Sequence, residues 1–208
     1  MSAVPRRDSS ETPIPPRLRD RLREQTRAAI IDAAEEILVE QGLDARIDAI
    51  AVHAGVAVGT LYNHFSDRDA IVRAVVQQNR EELFAVLDEV LKEPRASFAE
   101  DVGAYLKAMV AHTRRHGPLL TVLMNDRAVS PNSELYRCEF VEPLRQRALT
   151  LVQRGLQSGA LAAQEPELVA DVLLGFSRVS VMRSLRHGRP SEPELLARFF
   201  LHGVGEKS

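Results

Sequence analysis

From Leu18 onward the apolar residues recur at spacings of three and four, and nowhere do apolar and polar residues alternate strictly over the length of a strand. That period belongs to helices burying one face, whereas a half-buried strand needs a period of two. The expected fold is therefore all-α. Residues 1–17 hold Pro5, Pro13, Pro15 and Pro16 among Ser, Thr and charges, and read as a disordered N-terminal arm. A helix is predicted over 18–41, with Ile30, Ala34, Ile37 and Leu38 on one face and Asp32, Glu35 and Glu36 opposite. Gly42 supplies a left-handed cap, against which Leu43 can pack back. Two short helices follow over 47–54 and 58–65. Ser66 and Asp69 read as the capping box of a helix reaching Glu93, ahead of Pro94. Further helices are predicted at 97–116, 118–129, 133–158, 166–187 and 192–204, with Pro118, Pro131, Pro166 and Pro193 near their starts. Pro143 suggests a break near Glu142, and Ser191 opens another capping box.

A chain of 208 residues, 45% hydrophobic and 27% charged, can bury a core and is not of disordered composition. Its formal net charge of −2 rules out a uniformly basic protein, but the distribution is uneven. Residues 1–27 carry seven arginines against four acids, and the next stretch to Asp48 is acidic, with Arg46 its one basic residue. The single Cys138 excludes a disulfide within the chain and a cysteine metal cluster. No signal-peptide h-region and no apolar run of membrane-spanning length is present, so the expected location is cytoplasmic. His112 and His116 have a spacing that can hold a metal, yet Arg114 and Arg115 crowd it, and a surface histidine pair is the expectation. No phosphate loop, nucleophile elbow or activated cysteine is found. Neither an enzyme, a metal site nor a cofactor is expected.

The stretch Ile47–Phe65 has the mechanics of a helix-turn-helix. Two short helices cross closely only over small residues, and Ala51 and Ala54 stand there. Gly55 tolerates the positive φ of the turn. Val56, Val58 and Leu61 lock the second helix inward. Gly59, Thr60, Tyr62, Asn63 and His64 are left pointing outward. A helix exposed merely for solubility would carry Glu and Lys, and this one has neither. The pattern suits a helix reading DNA, with Gly59 allowing close backbone approach. A helical hairpin of no such function is the alternative.

The run from Gly42 to Ala51, followed by Ala54-Gly55-Val56-Ala57-Val58-Gly59-Thr60-Leu61-Tyr62-Asn63-His64-Phe65, resembles the signature of TetR-family transcriptional regulators. With the flanking helices the resemblance covers about residues 20–75. It implies a three-helix DNA-binding domain over 18–66 and a larger helical effector-binding and dimerisation domain over 67–208. It also implies roles by position. Thr60, Tyr62 and His64 would meet phosphates and base edges, with Asn63 a further groove contact. Arg46 and Arg68 would hold phosphates. The segment Arg17–Arg27, including Arg23 and Arg27, would graze the backbone or a minor groove. Arg46 departs from the Ser or Thr of many members, and the arm is long and Arg-rich.

The segment 166–187 is apolar on nearly every side, so one face should meet the chain's own core and another a partner. The segment 192–204 adds a second apolar stripe. Together they suggest a homodimer interface through Val172, Phe176, Val179, Leu196, Phe199 and Phe200, which the resemblance also implies. The resemblance places an effector pocket among the middle helices, with Tyr105, Met109, His112, Met124, Tyr136, Phe140 and Phe176 as lining candidates. The expected function is a DNA-binding repressor acting on an inverted-repeat operator and released by a small molecule. Two alternatives stand beside it: a ligand-binding helical protein or enzyme with an incidental helix-turn-helix, and a regulator controlled by a partner protein.

Overall fold

A computed structural model describes residues 18–124, 137–162, 165–188 and 192–204, and among them every regular element is helical. The helices are α1 (Leu18–Gln41), α2 (Ile47–His53), α3 (Val58–His64), α4 (Arg68–Lys92), α5 (Phe98–Met124), α6 (Glu142–Gln157), α7 (Pro166–His187) and α8 (Pro193–Val204). A π-helical turn, Arg137–Val141, runs directly into α6, so the expected break falls where Pro143 enters the first turn. The arm over 1–17 and the capping residue Ser191 lie outside the described residues.

Local chemistry sets most boundaries. Gly42 ends α1 at φ +79°, and its N–H donates to the Leu38 carbonyl. Gly55 makes the turn between α2 and α3 at φ +67°, a region that costs other L residues strain. The α4 cap differs from expectation: Asp67, not Ser66, is the N-cap, its Oδ1 accepting from the Ala70 N–H at 2.7 Å. That bond also holds the Asp67 carboxyl below its ordinary pKa. Ser66 instead donates its hydroxyl to Asp67. A carboxylate accepts more strongly than a hydroxyl, and the helix starts one residue later for it.

A second correction concerns α5, which runs unbroken through Pro118 where two helices were predicted. An interior proline costs about 3 kcal/mol. The turns beyond it bury Leu119 and Leu123 almost completely, and each fully buried leucine returns roughly 1.5–3 kcal/mol. Burial therefore outweighs the proline.

Two hydrophobic cores result. The first gathers Ile30, Ile37 and Leu38 of α1, Ile50 and Ala51 of α2 and Leu61 and Phe65 around α3. It is completed by Ile71 and Val75 from the start of α4 and Leu119 and Leu123 from the end of α5. The second is built from Leu83 and Leu87 of α4, Leu106 of α5, Leu151 of α6, Leu173 of α7 and Phe200 of α8. Helix α5 packs against α1, α4, α6, α7 and α8, and so belongs to both. Among the described residues no helix is long and apolar enough to cross a membrane.

Candidate nucleic-acid interface and internal cavity

Leu61 is fully buried beneath α3, which fixes the rotation of that helix and turns the rest of its face outward. Gly59 and Asn63 are exposed, Thr60 and His64 half-buried, and Tyr62 is 51% exposed. Val58, expected inward, is 37% exposed: it opens the helix, and only one residue of this short element reaches the core. A Cβ added at Gly59 would meet nothing within 4 Å, so the fold itself does not require glycine there. The basic end of α1 lies beside the end of α3. The Arg27 guanidinium stands over the Phe65 ring at 5.0 Å. Partial burial, then the charges of Arg23 and Arg27, push His64 below its usual pKa and favour its neutral form.

Arg46 precedes α2 and pairs with Asp48 at 3.0 Å, and Arg68 at the start of α4 pairs with Asp44 at 3.4 Å. Both pairs are exposed and worth about 0–1 kcal/mol, so a phosphate can displace the carboxylates at little cost. His53 of α2 and Glu36 of α1 close 2.7 Å apart, bracing the two helices.

A cavity of about 390 Å³ opens between α4, α5, α7 and the turn before α6. Of the candidate lining residues it brings together Met109, His112 and Phe140. Tyr105 and Phe176 are not in the lining. Tyr105 is enclosed in the second core, where burial raises its pKa, and Phe176 meets Phe200 edge-on at 6.2 Å. Tyr136 and the Met124 side chain lie outside the described residues. Sequence reasoning missed Asn79, which is 5% exposed and lines the cavity beside His112. The signal was legible: a polar residue stands in the apolar spacing Val72, Val75, Val76, Asn79, Leu83.

The two histidines are not a surface pair. Their rings lie 4.6 Å apart. His116 is buried between Glu35 of α1 at 2.8 Å and Glu82 of α4 at 3.3 Å. Burial first, then His116 and Arg115, hold His112 down to a pKa of about 4. The first core and the cavity also share side chains: Leu123 and Val76 line the cavity and pack into the helix-turn-helix core.

Helices α7 and α8 leave Leu168, Val172, Val179, Leu195 and Phe199 exposed, Val179 at 64% and Phe199 at 59%. Phe200, expected in the same stripe, is fully buried in its own chain and unavailable to a partner. The two phenylalanines are adjacent, and a helix turns consecutive side chains by about 100°. Phe176 and Leu196 are half-buried against the second core.

Comparison with known proteins agrees with this architecture. A family model described as bacterial regulatory proteins, tetR family, matches residues 30–75, and one described as the tetracyclin repressor-like C-terminal domain matches residues 92–200. The chain is 28% identical over 163 residues to YdeS, an uncharacterized HTH-type transcriptional regulator of Bacillus subtilis (strain 168), covering 73% of this chain and 76% of that protein. It is 26% identical over 172 residues to KstR2, an HTH-type transcriptional repressor of Mycolicibacterium smegmatis, covering 80% and 81%. Among solved structures it is similar to RolR in complex with resorcinol, with 26% identity, a TM-score of 0.58 and coverage of 90% and 91%. A TetR transcription regulator from Haloarcula marismortui shares the fold, with a TM-score of 0.74 at 16% identity over 88% and 100%. With two family models that together span both cores, the chain belongs to the TetR family of bacterial transcriptional regulators.

Proposed function

We propose that this chain is a homodimeric, cytoplasmic repressor, without enzymatic activity, that binds an inverted-repeat operator and leaves it when a small molecule fills the cavity. The observation that carries this reading is the sharing of Leu123 and Val76 between the cavity and the helix-turn-helix core. A ligand pressing on these two side chains acts on the packing that orients α3. That RolR is solved with resorcinol and that KstR2 is a repressor support the same assignment.

In this reading residues 18–66 form the DNA-binding unit and 67–208 the regulatory unit. Thr60, Tyr62, Asn63 and His64 read the major groove, and Gly59 lets the backbone of α3 approach it. Arg46 and Arg68 hold phosphates on either side, and Arg23 and Arg27 reach the neighbouring backbone. The exposed stripe of Val172, Val179 and Phe199 meets its copy in the second protomer. Electrophoretic mobility shifts with genomic fragments under excess competitor DNA test the assignment. Retention of a defined subset of fragments, by a complex of two protomers per site in native mass spectrometry, is expected. Equal retention of all fragments would contradict it.

A further inference from the structure

Helix α7 turns one stripe toward the cavity: Asp171, Leu174, Arg178 and Val181 follow at intervals of three and four, and all line it. Arg178 therefore stands within the stripe, and it is also exposed, which places it at the rim where the cavity opens to solvent. Among the described residues it makes no ion pair or hydrogen bond. Neighbouring arginines are committed. Arg80 donates to the Glu139 carboxylate at 2.6 Å, and Arg145 donates to Asp171 at 2.7 Å. The second bond also answers the charge of Asp171, the acid of the wall.

Deeper in the cavity the polar groups carry no charge. Burial first, then His116 and Arg115, lower the His112 pKa to about 4, so the ring is neutral at pH 7. It is bonded to Asn79 at 3.2 Å. The Thr113 hydroxyl donates to the Met109 carbonyl and the Ser177 hydroxyl to that of Leu173. Most of the remainder, including Leu83, Leu120 and Phe140, is apolar. The described wall is thus an apolar chamber with one unanswered charge, the Arg178 cation at its rim. A cavity of about 150 Å³ holds benzene, so about 390 Å³ suits a molecule of roughly 15 heavy atoms.

Resting on the small-molecule reading above, we infer that the cavity takes an amphipathic monoanion, with an apolar body in the chamber and a carboxylate at the rim held by Arg178. The planar guanidinium fork matches a carboxylate, and at the rim that carboxylate keeps part of its hydration. Pushed among the leucines it would lose hydration without a partner. A cationic head group would meet Arg178 as a like charge, because Asp171 is already paired. A neutral one gains the apolar burial alone.

Isothermal calorimetry of the full chain at pH 7 with biphenyl-4-carboxylate, biphenyl-4-carboxamide and biphenyl-4-methanamine tests this. Decanoate against decanamide repeats the comparison with a flexible body. In at least one series the carboxylate is expected to bind about threefold or more tighter than its carboxamide, within the range of a partly exposed ion pair, and the ammonium compound weakest. Arg178→Gln, which removes the charge at an exposed position, should abolish that preference and leave carboxamide binding unchanged. Arg114→Gln, also exposed but outside the cavity, should keep it. A smaller preference in both series, a preference that survives Arg178→Gln, or no binding of either carboxylate up to its solubility would overturn the inference. Carboxamide binding without a carboxylate preference would do so while leaving the small-molecule reading in place. The titrations contain no DNA, so failure to retain genomic fragments would count against the repressor reading alone.

Discussion

Gly59 separates what the fold needs from what a partner needs. Its φ is not positive and a Cβ there would touch nothing, so Gly59→Ala should stabilise α3. The expected gain is about 0.5–1 kcal/mol in unfolding free energy. On the proposed reading the same substitution should weaken operator binding, because the added methyl would stand where the backbone of α3 approaches DNA. Gains in both quantities would show that the glycine serves no interface. Tyr62, half exposed beside it, makes the complementary case: Tyr62→Ala should cost about 1–3 kcal/mol of operator affinity with helicity and dimer mass unchanged. In the cavity wall the depressed pKa of His112 predicts acid sensitivity. The unfolded imidazole takes up its proton near 6.5 and the folded one only near 4. Stability from this group is therefore complete above pH 6.5 and is lost as pH falls toward 4. Thermal melts across that window should show a shallower acid loss for His112→Gln than for wild type, and equal steepness would contradict the assignment. Residues of this kind were only partly legible in the sequence. Asn79 could be found, since a polar side chain interrupts an apolar stripe. The burial of His116 could not, because Glu35 lies 81 positions away and no local pattern links them.

Helices were legible where side-chain periodicity and a cap agreed, as in α1 with Gly42 and α7 between Pro166 and its left-handed C-cap Gly188. They were misread where tertiary burial outweighed a local rule, as at Pro118 in α5. The same limit applies to α7 and α8. Their apolar faces were visible in the sequence, but which of Phe199 and Phe200 turns outward is decided by packing against Phe176. Val179→Arg should yield folded monomers in analytical ultracentrifugation that bind DNA weakly, since a charge at the centre of an apolar interface loses hydration without a partner. A Val179→Arg protein that remains dimeric would move the interface elsewhere. At the other end, α1 presents Arg19, Arg21 and Arg23 on exposed positions. Replacing the three by glutamine should weaken operator binding and flatten its salt dependence, each lost phosphate contact changing the slope of log K against log salt by about 0.9. The preferred sequence should stay the same, because phosphates position and bases specify.

Helix α5 ties these parts into one device. It contributes Leu119 and Leu123 to the helix-turn-helix core, His112 and Met109 to the cavity, and His116 to a clasp that holds α1 and α4. In the proposed homodimer a ligand shifts the equilibrium only by binding the released arrangement better than the DNA-bound one. Moving it from almost fully bound to almost fully released takes about 5.5 kcal/mol. Two cavities per dimer halve what each must supply. The all-helical class was evident from periodicity, and the helix-turn-helix over α2 and α3 from its small residues and Gly55. The way α4 and α5 each serve both cores was not, because it depends on contacts between segments far apart in sequence. Everything above rests on two copies of α3 reading DNA about one helical turn apart, ~34–36 Å. Sequencing the genomic fragments retained by the purified full chain tests this. The account predicts enrichment of one inverted repeat whose half-sites are centred about ten base pairs apart or a multiple of that. Enrichment of a motif without dyad symmetry, or of no motif, would contradict it.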